Sequence, residues 1–206
     1  VRYSSGSESG KTEKLFDMLL EELSKKERIL PGGFLYTLDI IFKPDIASEI
    51  GMIFADHFRG LPVDYVITVE TKGIPIALMT ARFLEKPLVV VRHYNEETDG
   101  ASVNINYVSG SSKKIQKMVL PLRSMKRNSK LLFIDDFMKG GGTAKGILDL
   151  AGEFDCEVAG IGIFIKTKEP ARKLVDDYFS LLTLNSVDEQ ARTVDIVKSW
   201  NQSKNT

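Results

Sequence analysis

Residues 131–143 (LLFIDDFMKGGGT) bring together the side chains best suited to chemistry: the adjacent carboxylates Asp135 and Asp136, then Lys139, Gly140, Gly141, Gly142 and Thr143. An apolar run leads into the acids and a helical pattern follows the glycines. Glycines let backbone N–H groups wrap an anion at a helix N-terminus. Carboxylates repel a phosphate, but they accept hydrogen bonds from sugar hydroxyls and can hold a hydrated Mg2+. Two acids beside a phosphate nest therefore point to a ribose phosphate. The plainer reading is a helix cap with a flexible turn, and two acids with three glycines exceed what capping requires. A second loop, residues 70–75 (ETKGIP), follows another β-branched run and offers Thr71, Lys72 and Gly73. Alone, it reads equally well as a simple turn into a helix.

Other matches are weaker. In residues 6–12 (GSESGKT), Gly6 and Gly10 enclose three residues where a phosphate-binding P-loop needs four, and no strand precedes them. A linker is the better reading. His57 and His93 lack partners at metal-ligand spacing, and His57 reads as a surface or helix-end residue. No nucleophile, base and acid can be assembled, so no metal ligand and no catalytic residue is assigned.

The elements that must position these loops follow from the hydrophobic pattern. Residues 4–10 are small and polar and read as a flexible entry. Leu15, Phe16, Leu19, Leu20 and Leu23 recur at helical spacing until Pro31-Gly32-Gly33, and the apolar face of residues 13–25 suits dimerisation. Residues 34–41 read as a strand or extended turn, and residues 45–58 as a helix with Pro44 in its first turn. Strand character then alternates with helix: strands at 65–70 and 88–92 around a helix at 76–84, a hairpin over 102–122, and strand, helix, strand at 130–135, 144–154 and 157–165. Residues 178–184 add a last strand, and the polar tail from Val197 reads as frayed. Apolar strands without polar alternation, separated by helices, predict an α/β fold with a parallel sheet buried on both faces.

Composition agrees. The 206 residues are 43% hydrophobic and 27% charged, with 28 basic and 28 acidic side chains, which excludes a disordered chain and favours one large globular unit. One cysteine, Cys156, excludes a disulfide scaffold and fits a cytoplasmic setting. No apolar run is long enough to span a membrane. Charge is uneven, however: between Ser111 and Lys145 nine cations face only Asp135 and Asp136, a net of +7. Arg92, Lys113, Lys114, Arg123 and Lys126 are candidates for a DNA or polyphosphate patch, with a solvated hairpin face as the equally weighted alternative.

IDDFMKGGGT resembles the phosphoribosyl pyrophosphate (PRPP) signature of type I phosphoribosyltransferases. The resemblance implies their fold, a central, mainly parallel sheet flanked by helices. It also implies that Asp135 and Asp136 bind the ribose hydroxyls, that Lys139 to Thr143 hold the 5-phosphate, and that Thr71, Lys72 and Gly73 meet the pyrophosphate. Over nearly the whole chain, ERILPGGF, VETKGIP, SVNINYVSGSS, RSMKRNSKLLFIDDFMKGGGT and VAGIGIFI resemble the purine operon repressors of Gram-positive bacteria, the PurR family. That family joins an N-terminal winged helix to a phosphoribosyltransferase-like domain that senses PRPP without known catalysis.

The resemblance implies a winged-helix remnant and linker at 1–10, with Val1-Arg2-Tyr3 ending its last strand. A linker helix and a homodimeric, non-catalytic effector domain follow at 11–206. The implied function is PRPP sensing in a repressor of purine biosynthesis genes, with operator DNA as partner of the full-length protein and Mg2+ compatible with bound PRPP. It also implies guanosine tetraphosphate as a competitor, its base stacked between Phe34 and Phe137, although Phe137 could equally be core packing. Three positions depart from the family pattern: Gly140 for Ala, His93 for Lys, and Glu70 for a small residue. Glu70 is closer to the acid of true transferases, so an active purine phosphoribosyltransferase stays open as the alternative. Against it, residues 185–206 are a poor source of a base pocket, and the hairpin at 102–122, in the lid position, offers Tyr107 but no evident acid or base.

Overall fold

The structure is a computed structural model that describes residues 5–94, 100–108 and 114–199. Helix α1 (Ser5–Leu23) leads into the short pair β1 (Ile29–Leu30) and β2 (Phe34–Leu35), then α2 (Leu38–Ile41) and α3 (Pro44–Phe58). The alternating part follows as β3 (Tyr65–Val69), α4 (Ile74–Leu84) and β4 (Leu88–Val91), then the hairpin β5 (Ser102–Val108) and β6 (Ile115–Pro121). It continues with β7 (Lys130–Met138), α5 (Gly142–Glu153), β8 (Glu157–Thr167), β9 (Phe179–Asp188) and β10 (Thr193–Lys198). The six-stranded sheet has the order β10-β9-β8-β7-β3-β4 and is parallel except for β10.

Strand β7 shows why its sequence lacks polar alternation. Leu132 and Ile134 face the core shared with α1, α3 and α4, whereas Leu131 and Phe133 face the core under α5 and the hairpin. Both faces of the strand are therefore apolar, as a helix-covered parallel sheet requires. Helices α3 and α4 cross at backbone contact, since a Cβ on Gly51 would lie 2.5 Å from Met79 Cβ. Arg28 ties the end of α1 to the segment before α3. It donates to the Glu22 carbonyl at 2.7 Å and the Tyr36 carbonyl at 3.1 Å, and it pairs with the carboxylates of Glu22 and Asp39 at 3.0 and 2.7 Å.

Several expectations are corrected. Ser5 to Gly10 lies inside α1 and is no flexible entry. Serine and glycine cost a helix at most ~1 kcal/mol each, and this helix is anchored further on by Leu15, Phe16, Leu19 and Leu23 in the core. The same packing occupies the apolar face of α1, so that face is not open for dimerisation. Residues 34–41 form a two-residue strand and a helical turn. Strand β7 runs past the acids to Met138, and the tail carries an antiparallel strand as far as Lys198. No helix among the described residues is long and apolar enough to cross a membrane.

Candidate functional site

The C-terminal ends of β3 and β7 open into a cleft of about 660 Å3. Its lining brings together both loops singled out from sequence: Thr71 and Lys72 on one side, Lys139, Gly141, Gly142 and Thr143 on the other, with Asp135 and Asp136 between them. Asp135 is 8% exposed and Asp136 half-buried. Burial pushes the Asp135 carboxyl well above the usual carboxylate range, and the neighbouring Asp136 charge pushes it further. Burial also raises Asp136, opposed by the charge of Lys72. Two carboxyl groups largely withdrawn from water gain from hydroxyl donors, which suits a sugar.

Gly141 has φ +82 and forms the N-cap of α5, a conformation that favours glycine. The loop then passes directly into the helix, with Lys145 N–H donating to the Gly141 carbonyl at 2.9 Å. Gly140 does not line the cleft; its carbonyl accepts from Leu174 N–H at 2.9 Å. Gly73 lies buried beneath its loop. A Cβ there would stand 2.4 Å from Thr68 Oγ1 and 3.0 Å from Asp135 Oδ1, so glycine permits the close approach of the two loops. The peptide between Glu70 and Thr71 is cis.

The far wall is polar. Glu70 accepts a hydrogen bond from the His93 N–H at 2.6 Å, and Tyr107 donates from its hydroxyl to Gln116 at 2.7 Å. All four residues line the cleft. The near rim is apolar, formed by Leu30, Pro31, Phe34 and Leu35. Phe34 and Phe137 both line the cleft, Phe137 also packs against the core, and Lys139 Nζ sits 5.2 Å from the centroid of the Phe34 ring. His57 lies exposed on α3, stacked on Phe179 at 3.6 Å, as its helix-end reading anticipates.

The basic stretch is spread along two strands. Lys130 opens β7 and Lys139 follows its end, so nine residues of strand, about 3.3 Å each, separate them. Lys114 and Arg123 likewise flank opposite ends of β6, and Lys113 lies outside the described residues. Arg92 pairs by its backbone with Val119, and Lys126 sits beside the start of β7. Elsewhere in the stretch Arg127 pairs with Asp155 at 2.6 Å, Lys130 with Glu157 at 3.1 Å and Lys145 with Asp149.

One functional candidate escaped the sequence. Lys173, 8% exposed, reaches under the glycine loop and donates to the Lys139 carbonyl at 2.6 Å. Burial lowers its pKa, the charge of Lys166 lowers it further, and Glu169 opposes them. Residues 168–178 carry no periodicity that would have drawn attention to it.

Residues 38–197 match the model of the phosphoribosyl transferase domain family. The chain is 45% identical over 196 residues to the purine biosynthesis transcriptional repressor PurR of Bacillus subtilis, covering 95% of this chain and 69% of the repressor. It is 39% identical to the purine biosynthesis transcriptional activator PurR of Lactococcus lactis, covering 95% and 72%. Among solved structures, adenine phosphoribosyltransferase from Thermoanaerobacter pseudethanolicus superposes with a TM-score of 0.67 at 17% identity, covering 80% of this chain and 99% of that one, which shows the fold. With a matching domain over most of its length and these identities, the chain belongs to the PurR family of purine biosynthesis transcriptional regulators, built on a phosphoribosyl transferase domain.

Proposed function

We propose that the cleft binds PRPP and that the chain is the PRPP-sensing effector domain of a cytoplasmic, homodimeric regulator of purine biosynthesis genes. The observation that carries this reading is the convergence on one cleft of three parts matched to three parts of the ligand. Asp135 and Asp136 meet the ribose hydroxyls, the loop from Lys139 to Thr143 meets the 5-phosphate, and Thr71 with Lys72 meets the pyrophosphate. If Mg2+ enters with PRPP, the half-buried Asp136 is the carboxylate suited to hold it through water.

A sensor is favoured over a transferase by the hairpin. A transferase must close over the ligand and exclude water while the base attacks. Here Tyr107 and Met118 are buried, and a Cβ on Gly146 of α5 would lie 3.1 Å from both side chains. The body of the hairpin is thus packed as a fixed wall. The apolar rim offers a base two rings, Phe34 and Phe137, and no acid or base of its own. Guanosine tetraphosphate fits this arrangement as a competitor of PRPP.

Operator DNA is the partner of the regulator. Arg92 adjoins His93 on the cleft wall, so a polyanion in the cleft would weaken attraction of that edge for a DNA backbone. The test is phosphorus NMR of PRPP with Mg2+, the chain and a mixture of purine and pyrimidine bases. Broadened PRPP resonances without turnover are expected. Pyrophosphate and nucleotide forming faster than in a protein-free control would establish the transferase instead, and unchanged resonances would remove PRPP altogether.

A further inference from the structure

Resting on that reading of the cleft, we propose that Lys173 is the positioning residue of the 5-phosphate loop, aiming the loop's N–H groups at the ligand and placing a fixed positive charge behind them. Lys173 does not line the cleft, so it acts through the backbone. Its ammonium donates to the Lys139 carbonyl at 2.6 Å, the Thr167 carbonyl at 2.8 Å and Thr167 Oγ1 at 3.3 Å. These partners satisfy its three donors.

The consequence follows from peptide geometry. In a trans peptide the carbonyl and the N–H point in opposite directions across one plane. The Lys139 carbonyl shares its peptide with the N–H of Gly140, and the Gly140 carbonyl shares its peptide with the N–H of Gly141. Lys173 Nζ holds the first carbonyl and Leu174 N–H the second, at 2.9 Å, both from the segment that follows β8. Two successive N–H groups are thereby turned away from that segment, on the loop whose Lys139 and Gly141 line the cleft.

Charge supports the same role. The three oxygens that Lys173 contacts are all neutral, and among the described residues it forms no ion pair. A buried cation whose hydrogen-bond acceptors are all neutral is costly, and an anion bound in the adjacent loop would relieve that cost. The lysine is therefore a standing counter-charge for a phosphate it does not touch.

The experiment compares ribose 5-phosphate, which carries only the 5-phosphate, with inorganic pyrophosphate by calorimetry. Loss of one charge-assisted contact corresponds to roughly tenfold or more in affinity. Lys173→Met should weaken ribose 5-phosphate by that factor and leave pyrophosphate within about twofold, the ordinary scatter of remote substitutions. Lys173→Arg, which keeps charge and donors, should restore most of the loss. Unchanged ribose 5-phosphate affinity, or equal loss of both ligands, overturns the proposal. If Lys173→Met does not fold, Lys173→Gln takes its place, with the same loss expected and the same results overturning the proposal. Failure of the unsubstituted chain to bind ribose 5-phosphate or PRPP would refute the reading of the cleft itself, a result distinct from a silent Lys173.

Discussion

The backbone N–H of Asp136 donates to Asp135 Oδ1 at 3.0 Å, so the inner carboxylate of the pair is fixed by its neighbour's main chain. That bond stabilises the charged form, yet burial and the second carboxylate outweigh it and raise the pKa of Asp135. The pair is therefore kept at a cost to folding. Asp135→Asn keeps the shape and removes one charge; the expected result is a higher Tm with weaker PRPP binding. In a chain of this size each kcal/mol corresponds to about 2–4 °C, and PRPP affinity should fall by roughly tenfold or more. Thermal melts and calorimetry on the same samples decide it. A lower Tm with PRPP affinity retained would mean that the acids serve the fold.

The same burial sets a pH dependence. Both acids have folded pKa values raised above those of the unfolded chain, so the folded state binds the extra protons and their contribution to stability falls as pH rises through the raised values. Ligand binding runs the other way, because a protonated carboxyl is a poorer acceptor for ribose hydroxyls. Between neutral pH and the ordinary carboxylate range, PRPP affinity should therefore weaken on acidification while these groups make the empty fold more stable. Asp135→Asn should flatten the binding profile. An affinity with identical acid dependence in that variant would assign the titration elsewhere.

Thr68 Oγ1 is buried without a hydrogen-bond partner among the described atoms, and it lies 2.4 Å from where a Cβ on Gly73 would stand. Gly73→Ala must displace either this hydroxyl or Asp135, at a cost of about 1–3 kcal/mol for overpacking. Thr68→Ala forfeits no hydrogen bond and opens the space. In a double-mutant cycle read by urea unfolding, Gly73→Ala should be markedly less destabilising on the Thr68→Ala background, with PRPP binding partly recovered. Strict additivity would show that the two positions do not compete for the same volume.

The parts of the fold legible from sequence are those whose physics is local. Strands β3, β4, β7 and β8 are short apolar runs because helices or the hairpin cover both faces. The acid pair and glycine loop are adjacent in the chain, so their joint chemistry needs no tertiary information. Strand β10 escaped because Ile196 is its one deeply buried residue. The first turns of α1 escaped because serine and glycine read as linker when the packing that extends the helix lies ten residues on. The charge of the basic stretch was legible as a sum but its distribution was not, since strand β7 carries Lys130 and Lys139 to its opposite ends and acids from other elements answer Arg127 and Lys130. Lys173 could not be found at all from sequence, because its oxygens at Lys139 and Thr167 are gathered only by folding.

Phe34 separates the two ligands proposed for the cleft. Its ring lines the apolar rim with Lys139 Nζ 5.2 Å from its centroid, so it stands beside the loop assigned to the 5-phosphate without belonging to it. PRPP has no base and nothing to stack, whereas a guanine nucleotide could insert its ring between Phe34 and Phe137. Stacking on an aromatic side chain contributes about 1–3 kcal/mol per base, which is roughly 5- to 150-fold in affinity. Phe34→Ala should therefore weaken guanosine tetraphosphate by a factor in that range and leave PRPP within about twofold. Because Phe34 is half-buried at the rim and outside the main core clusters, the variant should fold. Competition calorimetry, with guanosine tetraphosphate displaced by PRPP, reads both affinities on one sample. Equal weakening of the two ligands would mean that Phe34 shapes the loop around Lys139, and the base would then have to be held elsewhere.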